Sequence, residues 1–335
     1  GALTGVLGVQ RDLLGCGLGT RPIGNIDVFC VAPSGTPNPL PERIIAPESL
    51  LEGIRRGVEV AGNHSGVPTV NGSLCVHRDY LARPLVFVGG LGWSPRQVAG
   101  RPCEVKTVLP GDRIVVVGGR VGRDGLHGAT LSSQAVDSAT PASFVQTGDA
   151  WLHKLLTEFV LAARDQGWCR GLTDNGAGGL ASSVGELARL VGGAHLDLGL
   201  VPVKADGMAA WERLVSESQE RMMAVAHPDN IARVMAICEH WDVTATVVGE
   251  VTDGTHLQVF WHDELIVDVP PRTVAHDGPV YERPFHRPAW LDARQADEPT
   301  AERCPRPQTA QELGEHIVRL MGSANLSDRE WLTSQ

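Results

Sequence analysis

Hydrophobic and polar positions fall into two stretches that meet near residue 108. In the first, Gly8–Gly17 follows a turn and predicts a short helix, and the apolar run from Ile23 to Val31 predicts a strand. Residues 31–46 are rich in Pro and polar side chains and predict a loop. Leu50, Leu51, Ile54, Val58 and Val60 recur close to helical spacing and place a helix over Glu48–Ala61. Ser73–His77 and Leu85–Val88 predict two strands joined by a turn.

The pattern resets at Pro110-Gly111-Asp112. Arg113–Val117 is a buried-type strand that runs straight into glycines. Asp149 is a good N-cap for a helix with Trp151, Leu152, Leu155, Leu156, Phe159 and Val160 on its apolar face, ending near Gly167. A short strand leads to Thr173-Asp174, a glycine loop follows, and a helix runs from Gly179 to Val191. A strand over 221–226, a helix over 229–239 and strands over 243–251, 255–261 and 264–268 complete the series. That order predicts an α+β sandwich, a mixed or antiparallel sheet with helices on one face. Domains are expected over 1–107 and 108–290, with a linker and the start of a further unit over 291–335, where Gln308–Met321 is amphipathic.

Composition narrows the class. A chain of 335 residues, 42% hydrophobic and 20% charged, suits two soluble globular domains. Net charge is -10 and no basic stripe stands out, which sets nucleic-acid partners aside. Local Arg residues and helix N-termini still allow phosphorylated ligands. The seven cysteines are scattered without a C-x-x-C pair, as expected of reduced thiols in the cytoplasm rather than a disulfide framework or zinc site. No apolar run is long enough for a membrane span and no signal peptide is visible. Neither end reads as a natural terminus: the chain opens on Gly1 inside a glycine-rich phrase and stops just after a helical pattern.

Five phrases could carry chemistry. In Gly5–Ile23, Arg11 suits a phosphate or carboxylate clamp and Asp12 a Mg²⁺ ligand, although a surface helix with an ordinary ion pair reads the same way. Gly118–Ser133 follows a strand; its small residues, with Arg120 and Arg123, could form backbone nests around phosphate. It is neither a Walker A loop nor a dinucleotide fingerprint, and His127 reads as a loop hydrogen-bonder. Gln146 in Gln146–Asp149 offers a donor and an acceptor that suit an amide substrate. In Leu172–Leu180, Asp174 ends a strand before a glycine loop, where a carboxylate can hold metal while helix N–H groups face an anion; an Asx-turn is the alternative. Glu217, Ser218 and Gln219 precede an apolar strand, as a ligand rim or a plain loop would. Residue chemistry alone is compatible with Mg-nucleotide and phosphate handling and names no reaction.

Together the phrases resemble one family. Arg11–Ile23 (RD-x-x-x-x-G-x-x-x-RPI), Gly62–Gly72 (GN-x-x-GVPTV-x-G), Gly118–Thr130 (GGR-x-GRDG-x-HGAT), Gln146–Asp149 (Q-x-GD), Asp174–Glu186 (DNGAGGL-x-SS-x-GE) and Ser216–Met222 (SESQERM) follow the order found in formylglycinamide ribonucleotide amidotransferases. The resemblance covers nearly the whole chain and lies closer to the multi-subunit type. The segment from Ile317 to Gln335 looks like the opening of that enzyme's second half.

This resemblance implies a PurM-like fold, with a truncated N-terminal module whose sheet pairs with a pseudo-symmetric partner, and a C-terminal α+β module. It implies ATP-dependent conversion of formylglycinamide ribonucleotide to the amidine with ammonia from glutamine. By carry-over, Asp12 and Asp174 would hold Mg²⁺; Arg11, Gln146, Glu217, Ser218 and Gln219 would contact substrate; Gly1, Thr4, Gly5 and Gly8 would contact ATP. The family's catalytic His, a further Mg²⁺-binding Glu and a nucleotide-contacting Lys would lie upstream of Gly1, so the chain by itself is expected to be inactive. Implied partners are a glutaminase subunit or domain, a small bridging subunit, the second half of the enzyme and a homodimer through the N-terminal sheet. Other PurM-like enzymes (aminoimidazole ribonucleotide synthetase, selenophosphate synthetase, thiamine-monophosphate kinase, a hydrogenase maturation factor) and a non-catalytic structural half are the rival readings.

Overall fold

A computed structural model describes residues 1–35, 39–42, 44–132, 146–298, 300, 302–303 and 306–327. The end of the Gly118–Ser133 phrase, Cys304 and the tail beyond 327 lie outside the described residues.

The chain opens with helix α1 (Ala2–Leu14), which begins six residues before the expected one. Gly5 and Gly8 are poor helix formers, but Val6, Leu7, Gln10 and Leu14 share a buried face, and that packing overrides local propensity. Strand β1 (Arg21–Val31) follows, then helix α2 (Pro47–Ser65), which stops at Gly66 in the left-handed conformation (φ 75°). Strands β2 (Thr69–Val76) and β3 (Leu85–Trp93) complete a three-stranded sheet of order β2-β1-β3, in which β2 is parallel to β1 and β3 antiparallel. Phe29, Val31 and Leu74 pack against Leu51 and Ile54 of α2 on one face. The opposite face is open and apolar: Val70, Leu85, Phe87, Leu91 and Trp93 are exposed. A small ribbon of β4 (Gln97–Val98) and β5 (Arg101–Pro102) leads on to the second sheet.

That sheet begins with β6 (Arg113–Gly118). The short helix α3 (Gly128–Ser132) follows, and then α4 (Ala150–Asp165), capped by the Asp149 carboxylate, which accepts hydrogen bonds from the Trp151 and Leu152 N–H groups. Next come β7 (Cys169–Asp174), α5 (Gly179–Ala188), β8 (Gly193–Asp197), α6 (Ala210–Val215), β9 (Arg221–Ala226), α7 (Ile231–His240), β10 (Ala245–Thr252), β11 (Leu257–Trp261) and β12 (Glu264–Val269). Their sheet runs β12-β11-β8-β10-β6-β9-β7 and is antiparallel except between β8 and β11. Helices α8 (Pro271–Ala275), α9 (Ala289–Ala296) and α10 (Ala310–Met321) close the described chain.

Two hydrophobic layers hold this unit. Ile114 and Val116 pack with Leu180, Val184 and Leu187 of α5, while Val115 and Val117 pack with Leu156, Phe159 and Val160 of α4 and Val234 of α7. Burying each such side chain contributes about 1.5–3 kcal/mol. Helices therefore cover both faces of the sheet, where the strand–helix order alone suggested one. The period-2 alternation of an interior strand such as β6 gives each face its own apolar set.

This topology sets up the site. The ends of β6 and β7 and the start of β9 lie together, because Gly118 pairs with Arg221 and Asp174 with Met222. The C-terminal end of α1 lies on the same spot: a Cβ at Gly15 would stand 3.2 Å from the Asp174 amide nitrogen.

Candidate functional site

A cleft of about 670 Å³ opens where α1 crosses these strand ends. One wall is α1, presenting Gly1, Thr4, Gly5, Gly8, Arg11 and Asp12; the other carries Gln146, Asp174, Gly176, Ser182, Glu186 and Gln219. Residues separated by up to 218 positions thus share one cavity, and nine of the eleven residues that the resemblance marked are among them.

Arg11 is 4% exposed, and its Nε donates to Asp174 Oδ2 at 3.4 Å. Asp12 keeps solvent contact, yet partial burial pushes its carboxyl pKa upward; the nearby Asp174 and Glu186 carboxylates add to this and Arg11 opposes it. Three acidic groups, one from the α1 wall and two from the other, therefore crowd together in the cleft. Glu186 in turn accepts the Thr173 hydroxyl at 2.8 Å. At Gly176 a Cβ would stand 2.7 Å from Asp174 Oδ2, so a larger residue there would displace that carboxylate.

These groups fit a magnesium ion of a particular kind. Among the described residues no three His, Cys, Asp or Glu side chains converge closely enough to hold a metal by themselves. Mg²⁺ in nucleotide sites is held by one or two carboxylates and completes its shell with water and phosphate oxygens. Hard oxygen donors from Asp12 and Asp174, held close together beside Arg11, match that requirement.

Gln146 lies across the cleft from α1. Its Nε2 donates to Glu217 Oε2 at 2.6 Å, and its carbonyl accepts the Thr4 hydroxyl at 3.1 Å, which ties α1 to the Gln146–Asp149 turn. Glu217 and Ser218 stand behind the cleft wall, while Gln219 lines it. The Glu217 carboxylate accepts from the backbone N–H of Ala129 (2.9 Å) and Gly178 (3.2 Å) as well as from Gln146, so it joins three segments of the wall. Ser218 is fully buried; its Oγ accepts from Gly122 N–H at 2.9 Å and donates to Asp124 Oδ1 at 2.7 Å, pinning the Gly118–Thr130 loop.

That loop presents Gly128 and Ala129 to the cleft, not its arginines. Arg120 is exposed, and Arg123 forms an ion pair with Glu212 and bonds the Gly207 carbonyl, so neither makes the phosphate nest that their spacing suggested. His127 stacks on Trp211 with ring centroids 5.9 Å apart.

Sequence reasoning passed over two acidic residues. Glu186 lies in the cleft lining. Glu220 is 1% exposed, 3.0 Å from His153 Nδ1 and 3.5 Å from Arg11 Nη1. Both stood inside phrases already marked for attention, but only three-dimensional contact separates them from ordinary charged neighbours.

Known proteins agree with this architecture. The family described as AIR synthase related protein, N-terminal domain, matches residues 1–94, and its C-terminal domain matches 110–262. The whole chain is 40% identical over 339 residues to phosphoribosylformylglycinamidine synthase subunit PurL of Streptomyces avermitilis, and 42% identical over 342 residues to that of a Nocardioides species. It spans 43% of the length of each. Thermotoga maritima PurL complexed with FGAR superposes on 86% of this chain and 45% of its own, with a TM-score of 0.68 and 34% identity. The ATP complex of the same protein gives 0.64 and 31%, covering 85% of this chain and 43% of its own. Escherichia coli HypE, at 16% identity and a TM-score of 0.58 over 83% of this chain and 81% of its own, shares the fold alone. Two matched domains and similarity along the entire chain establish that it belongs to the PurM-like, AIR synthase related family, on the branch of the phosphoribosylformylglycinamidine synthase PurL subunits.

Proposed function

We propose that this cleft binds Mg-ATP and formylglycinamide ribonucleotide, and that the chain is the first half of a synthetase that converts the amide to an amidine with ammonia derived from glutamine. One observation carries the reading: Arg11, Asp12, Gln146, Asp174 and Gln219 converge on a single cavity whose α1 wall includes Gly1, Gly5 and Gly8. Solved relatives at 31–34% identity are described as complexes with FGAR and with ATP.

Each side chain then has a task. The Arg11 guanidinium, a planar fork of donors, grips an anionic group of the ribonucleotide. Gln146 and Gln219 present amide donors and acceptors to the substrate's own amide. Gly1, Gly5 and Gly8 leave backbone bare for the nucleotide, and Thr4 lines the same wall. Asp12 and Asp174 would hold Mg²⁺, which when bound offsets the negative charge of the triphosphate during phosphoryl transfer to the amide oxygen.

Partners follow the same reading. The open face of the three-stranded sheet, with Phe87, Leu91 and Trp93 exposed, is an apolar patch of the kind that meets a second sheet. We assign it to a pseudo-symmetric PurM-like module, either the enzyme's second half or a second copy. A solved Thermotoga maritima assembly is described as PurLQS, which supports a glutaminase and a small bridging subunit as further partners. No helix among the described residues is long and apolar enough to cross a membrane; a cytoplasmic location completes the proposal. Division at residues 107 and 108 and a linker from 291 are likewise proposed.

The test is calorimetric titration of the chain with formylglycinamide ribonucleotide in the presence of Mg-ATP, paired with amidine formation by the complete enzyme. Saturable binding that Arg11→Ala abolishes is expected. Absence of binding, together with unchanged turnover in Asp174→Ala, would remove the proposal.

A further inference from the structure

Behind the cleft, outside its lining, Glu220 and His153 form a buried polar pair that reaches Arg11. Glu220 precedes β9 and has its carboxylate sealed from solvent. Its Oε1 accepts the Asp149 N–H at 3.3 Å, and its Oε2 stands 3.0 Å from His153 Nδ1 and 3.5 Å from Arg11 Nη1. His153 is fully buried on α4, and its Nε2 has no hydrogen-bond partner among the described residues. The tautomer of His153 with its proton on Nδ1 donates to the Glu220 carboxylate.

The backbone at Glu220 is also unusual. Its φ of 54° lies in the left-handed region, which a non-glycine residue adopts at a cost of about 1–2 kcal/mol. Gly118 and Gly119 make room for it: the Gly119 N–H donates to the Glu220 carbonyl at 2.8 Å, and a Cβ at Gly118 would stand 2.2 Å from that oxygen. Strain of this kind persists where the surrounding structure over-determines it, and glycine would remove it at once. Its presence together with three polar contacts indicates that the side chain itself is needed.

The consequence falls on Arg11. Its Nη1 makes no hydrogen bond, and its guanidinium lies between Glu220 and Asp174, in contact at 3.5 and 3.4 Å. Arg11 also lines the cleft. We propose that Glu220, held by His153 and the Asp149 amide, is a positioning residue that fixes the Arg11 guanidinium toward the ligand's anionic group. This rests on the reading of the cleft given above. A freely rotating arginine must lose side-chain entropy when it grips a ligand; one already clamped from behind does not.

A double-mutant cycle in the complete enzyme tests this. Glu220→Gln keeps the volume and an acceptor for the Asp149 amide but removes the charge behind Arg11. The expected result is a rise of about tenfold in KM for formylglycinamide ribonucleotide, with KM for ATP within about twofold of wild type. In an Arg11→Ala background the same substitution is expected to leave KM for the ribonucleotide unchanged, because its effect passes through Arg11. Additive losses, or a parallel rise in both KM values, would overturn the assignment. His153→Asn is the second variant, expected to move the same KM in the same direction by a smaller factor. If Arg11→Ala alone leaves that KM untouched, it is the reading of the cleft that has failed. The positioning role is then decided by side-chain ¹⁵N NMR: the Arg11 Nε–H should exchange faster with water in Glu220→Gln than in wild type, and equal rates would refute it.

Discussion

Arg11 on α1 and Asp174 at the end of β7 lie 163 positions apart and meet with Nε 3.4 Å from Oδ2. The pair connects the two matched domains inside the cleft, and one of its members is also a proposed magnesium ligand. Asp174→Asn keeps the shape but removes the charge. Turnover with ammonia as nitrogen donor is expected to fall by about 100-fold or more in the complete enzyme, which steady-state kinetics will measure.

Asp12 offers a test with a definite sign. Its pKa is raised above the ordinary 3.8, first by burial and then by Asp174. An acid of that kind adds stability below its unfolded pKa and loses it as pH rises through the folded value. At neutral pH without metal the ionised carboxylate therefore weakens the fold. Asp12→Asn is expected to raise Tm slightly in EDTA, with the gain fading in acid, and to lower the stabilisation conferred by Mg-ATP. Differential scanning calorimetry in both buffers checks it.

Glu217 joins three wall segments through one buried carboxylate. Glu217→Gln sets an amide donor against the backbone N–H groups it now serves. A loss of about 2–3 kcal/mol is expected, seen as a lower denaturation midpoint with an unchanged m-value.

Gly179 adopts φ 56°, and a Cβ there would lie 2.3 Å from the Ser216 carbonyl oxygen. Gly179→Ala is expected to cost about 2 kcal/mol or more and to displace the Ser216–Gln219 segment, so that ribonucleotide affinity drops along with stability. Urea titration and ligand binding on the same preparation separate the two losses.

Thiol chemistry provides a check independent of function. Burial pushes the Cys169 and Cys238 thiols up to about 12, whereas Cys16 and Cys75 are exposed. Iodoacetamide at neutral pH is expected to label Cys16 and Cys75 in the folded protein, and Cys169 and Cys238 only after denaturation. Peptide mass mapping reads the difference.

Much of the fold could be read from periodicity, because interior strands such as Arg113–Gly118 and Arg221–Ala226 are continuous apolar runs. Strand β8 escaped notice: Gly193–Asp197 is short, and His195 and Asp197 interrupt its apolar positions. The first half of α1 was hidden by its glycines. Within the site, the phrases around Arg11 and Asp174 pointed to residues that share the cleft, since charged groups among glycines are locally conspicuous. Arg123 misled for the same reason: its partner, Glu212, is 89 positions away and invisible to spacing. Glu220 could not be distinguished from Glu217 in the sequence, because what sets it apart is a backbone angle and three distant contacts.

The glycine wall of α1 has a bearing on how this protein can change. Nothing stands within 4 Å of a Cβ placed at Gly5, and only the tip of Arg11 approaches one at Gly8. Alanine at either position would favour the helix by about 1 kcal/mol, and it would also set a methyl group into the space left for ligand. A search for thermostable variants guided by folding alone would select those alanines first and fill the cavity. If the cleft takes the proposed nucleotide, a helix hardened at these two positions would lose that ligand before it lost its fold.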